Sequence, residues 1–174
     1  MSALASIVGP MLAMVFAVAA AAKTRPAGFR ELVTLLRTAR LLPADWAAPA
    51  AVVLIVAEAV TAVCLALPAT VRFGTAAAGL LLAVLTAGLA VMLRRRVALS
   101  CGCFGSGGGP LGVAQLGRNL VLLACAVAGW AGAAGARPSP VAWATAAFAA
   151  ALLVRFDDLH DLLAPATARR SRFR

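Results

Sequence analysis

The sequence predicts an all-α polytopic membrane helix bundle of about five transmembrane helices, with one further amphipathic helix lying at the interface. Three observations carry this. Of 174 residues, 63% are hydrophobic and only 13% charged, with a mean hydropathy of +0.97, so the chain lacks the polar residues to cover a soluble surface. Ala- and Leu-rich runs of membrane-spanning length recur along it. Its Lys and Arg residues, which set a formal net charge of +10, gather in the connections between those runs. There they set topology and meet anionic headgroups, so the basic character implies no nucleic-acid binding.

The spans are expected at residues 4–22, 47–67, 74–93, 119–136 and 139–156 of one membrane domain covering 1–174. The first accepts Pro10 in its first half. It reads as a retained helix rather than a signal peptide, because no basic residue precedes the apolar run. Between the first two spans, Phe29, Leu32, Val33, Leu36 and Ala39 fall on one helical face, with Arg30, Glu31, Thr34, Arg37 and Arg40 opposite. Pro43 stops that pattern, giving an interfacial helix over about 27–41. Leu35 alone breaks it.

Glu58 lies near the middle of the second span. An ionisable group there costs at least ~2.5 kcal/mol on insertion scales, so it is expected to face the bundle, as a protonated acid bonded to a neighbouring helix or as a functional carboxylate. Arg94, Arg95 and Arg96 end the third span, and a loop over 97–115 follows, holding Ser100-Cys101-Gly102-Cys103-Phe104-Gly105. Arg118 and Asn119 open the fourth span. Asp157, Asp158, His160 and Asp161, at the head of the basic tail 157–174, read as a solvated helix end, not a metal site.

Lys and Arg number five in 23–45, four in 94–118 and five from Arg155 onward, against one each at Arg72 and Arg137. Five spans with an outside N-terminus place the first three groups, the Cys-Gly-Cys loop and the C-terminus on the cytoplasmic side of the cell membrane.

Cys101 and Cys103 form a candidate redox dithiol. Gly102 relaxes the tight ring, and the nearby arginines favour the thiolate. Two cysteines are too few for a closed zinc site unless a second copy supplies two more, and acylation is a further use of the pair. The spacing matches neither CxxC nor CxxCH. Cys64 and Cys125 are expected at depths differing by roughly 15 Å, too far apart for a disulfide, which needs Cα atoms within ~7 Å. A transmembrane electron relay therefore requires a quinone, which nothing in the sequence indicates, a partner or a mobile loop.

These residues resemble the methylamine utilisation protein family MauE, within a wider MauE/DoxX group of small four- or five-helix membrane proteins. The resemblance runs from about Lys23 to Leu123. It rests on Lys23 through Pro43, on Glu58, on Arg94 to Gly105 and on Arg118-Asn119-Leu120. It implies a four-helix core and a role in methylamine metabolism, through thiol-linked maturation of methylamine dehydrogenase or another exported protein with a thioredoxin-like partner. Ala39 departs from the aromatic residue that the resemblance leads one to expect there, which predicts weaker interfacial anchoring. The alternative is a non-catalytic membrane anchor or assembly factor that docks its partner through the 27–41 helix and the loop. A transporter built on Glu58 ranks last, since one carboxylate among such apolar spans makes a thin pathway.

Overall fold

The computed structural model describes residues 2–39, 43–95, 113–132 and 139–154. They form six α-helices: α1 (Ser2–Thr24), α2 (Pro26–Ala39), α3 (Ala47–Ala66), α4 (Val71–Arg94), α5 (Val113–Gly132) and α6 (Pro140–Val154). A 3-10 turn over Ala44–Trp46 leads into α3. No strand occurs among the described residues, so the all-α bundle stands.

Among the described residues, three segments are long and apolar enough to cross a membrane, Ile7–Thr24, Ala44–Ala66 and Val71–Arg94, and Pro140–Leu152 is a shorter apolar helix. Each is an apolar run whose helix satisfies its interior backbone groups within the segment, as hydrocarbon requires.

The helices pack as a closed ring: α1 against α3, α3 against α4, α4 against α5, and α5 back against α1. α6 lies on α1 outside that ring, and α2 crosses α1 and α3. α1 is therefore the centre of the molecule. Its Leu12 and Phe16 join Ala62, Ala78, Leu82, Leu122, Ala126 and Ala146 in one buried core. Small residues let the backbones approach closely, the usual basis of helix association in lipid. Gly74 shows why: a Cβ there would come within 2.8 Å of the Cys64 and Leu65 backbone.

The outward face of α3 carries Val52, Val53, Val56, Val60 and Val63, all exposed. On a membrane helix this is the hydrocarbon-facing side. At the far end of α4, the Arg72 guanidinium sits 6.0 Å from the Trp130 ring of α5, within cation–π range. This contact and the approach of Gly79 to Ala126 fix α4 and α5 as antiparallel neighbours.

α2 forms as its periodicity predicts. Leu32 and Ala39 are buried, Phe29, Val33, Leu35 and Leu36 half-buried, and Arg30, Glu31, Thr34 and Arg37 exposed. Ala39 differs from expectation in one respect. It is only 2% exposed, and its carbonyl accepts a hydrogen bond from Arg95 Nη1 at 3.1 Å. The position faces the bundle rather than the headgroups, so a small residue fits it and no interfacial anchor is lost.

Candidate functional site

Lys23 and Glu58 define the polar centre of the bundle. Lys23 lies in the last turn of α1, where a lysine would ordinarily extend to the headgroups. Instead it turns inward and is 5% exposed, while Glu58 on α3 is 1% exposed. The ammonium Nζ donates to both carboxylate oxygens, at 2.6 Å to Oε1 and 2.8 Å to Oε2.

The backbone explains how residues on different levels meet. Gly9 of α1 faces Leu65 of α3, which sets the antiparallel register. At 1.5 Å per residue, Lys23 lies about 21 Å along α1 from that contact and Glu58 about 10 Å along α3. Their Cα atoms are thus offset by roughly 10 Å along the bundle. Side chains tilt toward the N-terminus of their own helix, so on antiparallel helices these two lean toward each other and close the gap.

Two features hold α2 against this corner. A Cβ on Gly28 would collide with the Ala22 carbonyl and crowd Lys23 Cα, so glycine is what lets α2 fold back on α1. Arg95 fastens the other end of α2 through the Ala39 carbonyl.

Among the described residues, Arg118 is the third buried charge, 6% exposed on α5. Gly129 packs against Val8, so Arg118 lies about 16 Å from that contact, at a depth between Lys23 and Glu58. α5 begins at Val113, ahead of the expected start near Arg118. Val113 to Leu116 already favours helix, and Arg118 sits inside the bundle instead of at its mouth. The earlier start also moves Cys125 to within about 6 Å of the depth of Cys64, less than the 15 Å expected. Both are free thiols and half-buried, without a disulfide.

Glu58 thus faces the bundle as expected, with Thr61 one turn on also buried, but it is met by a cation rather than standing as a solitary acid. The pairing with Lys23 was missed at the level of sequence. The signal was a lysine closing one apolar run and a glutamate inside the next. Arg94 and Arg95 end α4 exposed, and Asn119 lies within α5. Cys101, Gly102, Cys103, Phe104, Gly105 and Arg96 lie outside the described residues, as do Arg40, Arg137 and the tail carboxylates with His160. Among the described residues, no group of three or more His, Cys, Asp or Glu is placed to hold a metal ion.

A model of the family described as methylamine utilisation protein MauE matches residues 1–132. A curated relative, the methylamine utilization protein MauE of Paracoccus denitrificans, is 42% identical over 120 residues. That match covers 67% of this chain and 63% of the relative, so the chain spans somewhat under two thirds of the relative's length. No solved structure matches significantly.

Proposed function

The chain belongs to the MauE family, and from that membership we propose that it is a multi-pass cell-membrane component of methylamine metabolism. In this reading it supports maturation of methylamine dehydrogenase, or of another exported thiol protein, together with a thioredoxin-like partner. The distribution of Lys and Arg favours five spans with the N-terminus outside and the C-terminus cytoplasmic. That sets the Cys-Gly-Cys loop opposite the side where exported disulfides form, so the link to an exported protein runs through the partner.

The chemistry belongs to Cys101 and Cys103. The Cys101 thiolate attacks a disulfide of the partner and forms a mixed disulfide, releasing one partner thiolate. Cys103 then displaces the second partner sulfur. Two electrons pass to the partner, which leaves as a dithiol, and Cys101–Cys103 becomes the disulfide; the reverse sequence oxidises the partner. Gly102 permits the small ring, and Arg94, Arg95 and Arg96 favour the attacking thiolate.

The observation that carries the reading is the family match across 1–132, which includes the whole Cys-Gly-Cys stretch. The antiparallel packing of α4 and α5 supports it. It brings the residues bracketing the loop, Arg95 and Val113, to the same end of the bundle, with Arg94 and Arg95 exposed there.

The exposed Arg30 and Arg37 of α2 favour a second reading, a non-catalytic anchor that docks its partner on that face. Methylamine-dependent growth of a strain carrying Cys101→Ser or Cys103→Ser separates the two. The thiol reading expects growth to be lost at unchanged membrane abundance, while Cys64→Ser and Cys125→Ser grow normally. Full growth of the Cys101 and Cys103 variants, with loss in Arg30→Glu or Arg37→Glu, establishes the anchor instead.

A further inference from the structure

Lys23 is the one lysine in the sequence; the other fifteen basic residues are arginines. Arginine is the usual choice where a buried position needs a permanent positive charge with fixed geometry, and this chain uses one inside its own bundle at Arg118. A guanidinium does not give up its proton in a protein, whereas an ammonium does so readily once desolvated. The single departure from arginine falls on the residue that donates twice to a buried carboxylate.

We propose that Lys23 and Glu58 form a proton-exchanging pair inside the membrane bundle. The step is internal and balanced. One N–H bond of the Lys23 ammonium breaks, its electron pair stays on Nζ, and the proton forms an O–H bond on Oε1 of Glu58. The ion pair becomes a neutral amine beside a neutral carboxylic acid, and the net charge is zero before and after.

Two physical terms make this exchange accessible. Burying two full charges carries a heavy desolvation cost, and the neutral form avoids most of it. The donor and acceptor already share a short hydrogen bond of 2.6 Å, so the proton moves without rearrangement of either helix.

The placement puts the exchange inside the bundle. Lys23 ends α1, and Glu58 lies roughly 10 Å further into the bundle. A proton passed between them crosses only the 2.6 Å contact and leaves no bare charge in hydrocarbon. Ionisable residues at such depth serve proton relays in membrane proteins. Among the described residues, polar groups on the packed helices include these. α3 adds buried Thr61 and α5 adds buried Arg118; α4 adds Thr86, half-buried, whose hydroxyl donates to the Leu82 carbonyl. α2 covers the corner with buried Leu32 and Ala39. This inference stands apart from the thiol reading and survives its failure.

The composition makes the test direct. With one lysine and only two glutamates, Glu31 exposed and Glu58 buried, isotope labelling reports the pair without mutagenesis. Full-length protein carrying 15N-lysine and 13C-glutamate is measured by NMR in lipid bilayers. The expected result is a Lys23 Nζ resonance and a Glu58 Cδ resonance both displaced from their charged limits, shifting together with temperature. Lys23→Arg then returns Glu58 Cδ to the carboxylate limit. A Lys23 Nζ at the ammonium limit with Glu58 Cδ at the carboxylate limit in the wild-type protein overturns the proposal. So does a Glu58 signal that Lys23→Arg, if folded, leaves unchanged. Should that variant not fold, the wild-type resonances decide alone.

Discussion

Removing either member of the Lys23–Glu58 pair leaves its partner buried and uncompensated, which costs about 3–5 kcal/mol when the pair is fully enclosed. Glu58→Leu and Lys23→Met are therefore each expected to lower thermal stability sharply in detergent or lipid. The double variant Lys23→Met with Glu58→Leu removes both charges and replaces them with hydrocarbon. It is expected to be more stable than either single variant, by a coupling of about 2 kcal/mol or more in a double-mutant cycle. Additive losses would show that the two side chains do not depend on each other. The sequence made half of this site legible. A carboxylate in mid-span must face inward, and Glu58 does. Its partner lay 35 positions away, and helical periodicity specifies a face without specifying which residue of which helix meets it. Arg118 was hidden for a related reason. A charged residue near a span end reads as an interfacial start, and only packing against α1 and α4 draws it inside.

Among the elements, α2 is held by two devices that can be tested separately. Arg95→Gln removes the hydrogen bond to the Ala39 carbonyl, a charged donor worth about 1.5–3 kcal/mol. Gly28→Val forces a side chain into the Ala22 carbonyl. Both variants are expected to increase protease cleavage within 26–39 while the spanning helices remain protected. Equal protection in wild type and both variants would mean that α2 is held by other contacts. The amphipathic face of α2 was readable from spacing alone, because apolar residues recurring at three and four positions leave little choice of inner side. Its attachment to α4 was not readable, since it uses a backbone carbonyl that every residue possesses. The start of α5 shows the limit of charge as a boundary marker: Val113 to Gly117 joins the helix ahead of its first charged residue, Arg118.

For the whole molecule, the positive-inside distribution predicts that the Cys-Gly-Cys loop faces the cytoplasm. A membrane-impermeant thiol reagent, applied to a variant with Cys64 and Cys125 replaced by Ser, is expected to label the loop only after permeabilisation. Labelling in intact cells would overturn the five-span arrangement and place the exchange on the exported side. The ring of α1, α3, α4 and α5, with α6 outside it, was not legible in this form. Composition gives the number and length of apolar segments, whereas their neighbours follow from where Gly74, Gly129 and the alanines allow close approach.

The central claim is that Cys101 and Cys103 cycle between dithiol and disulfide, and the most direct measurement is their redox state in growing cells. In the Cys64→Ser, Cys125→Ser background, acid quenching and alkylation with a mass-shifting reagent count free thiols. The account predicts a mixed population of dithiol and disulfide during growth on methylamine, which moves toward one form when the thioredoxin-like partner is removed. Two free thiols in every cell and condition, with methylamine growth intact, would contradict it.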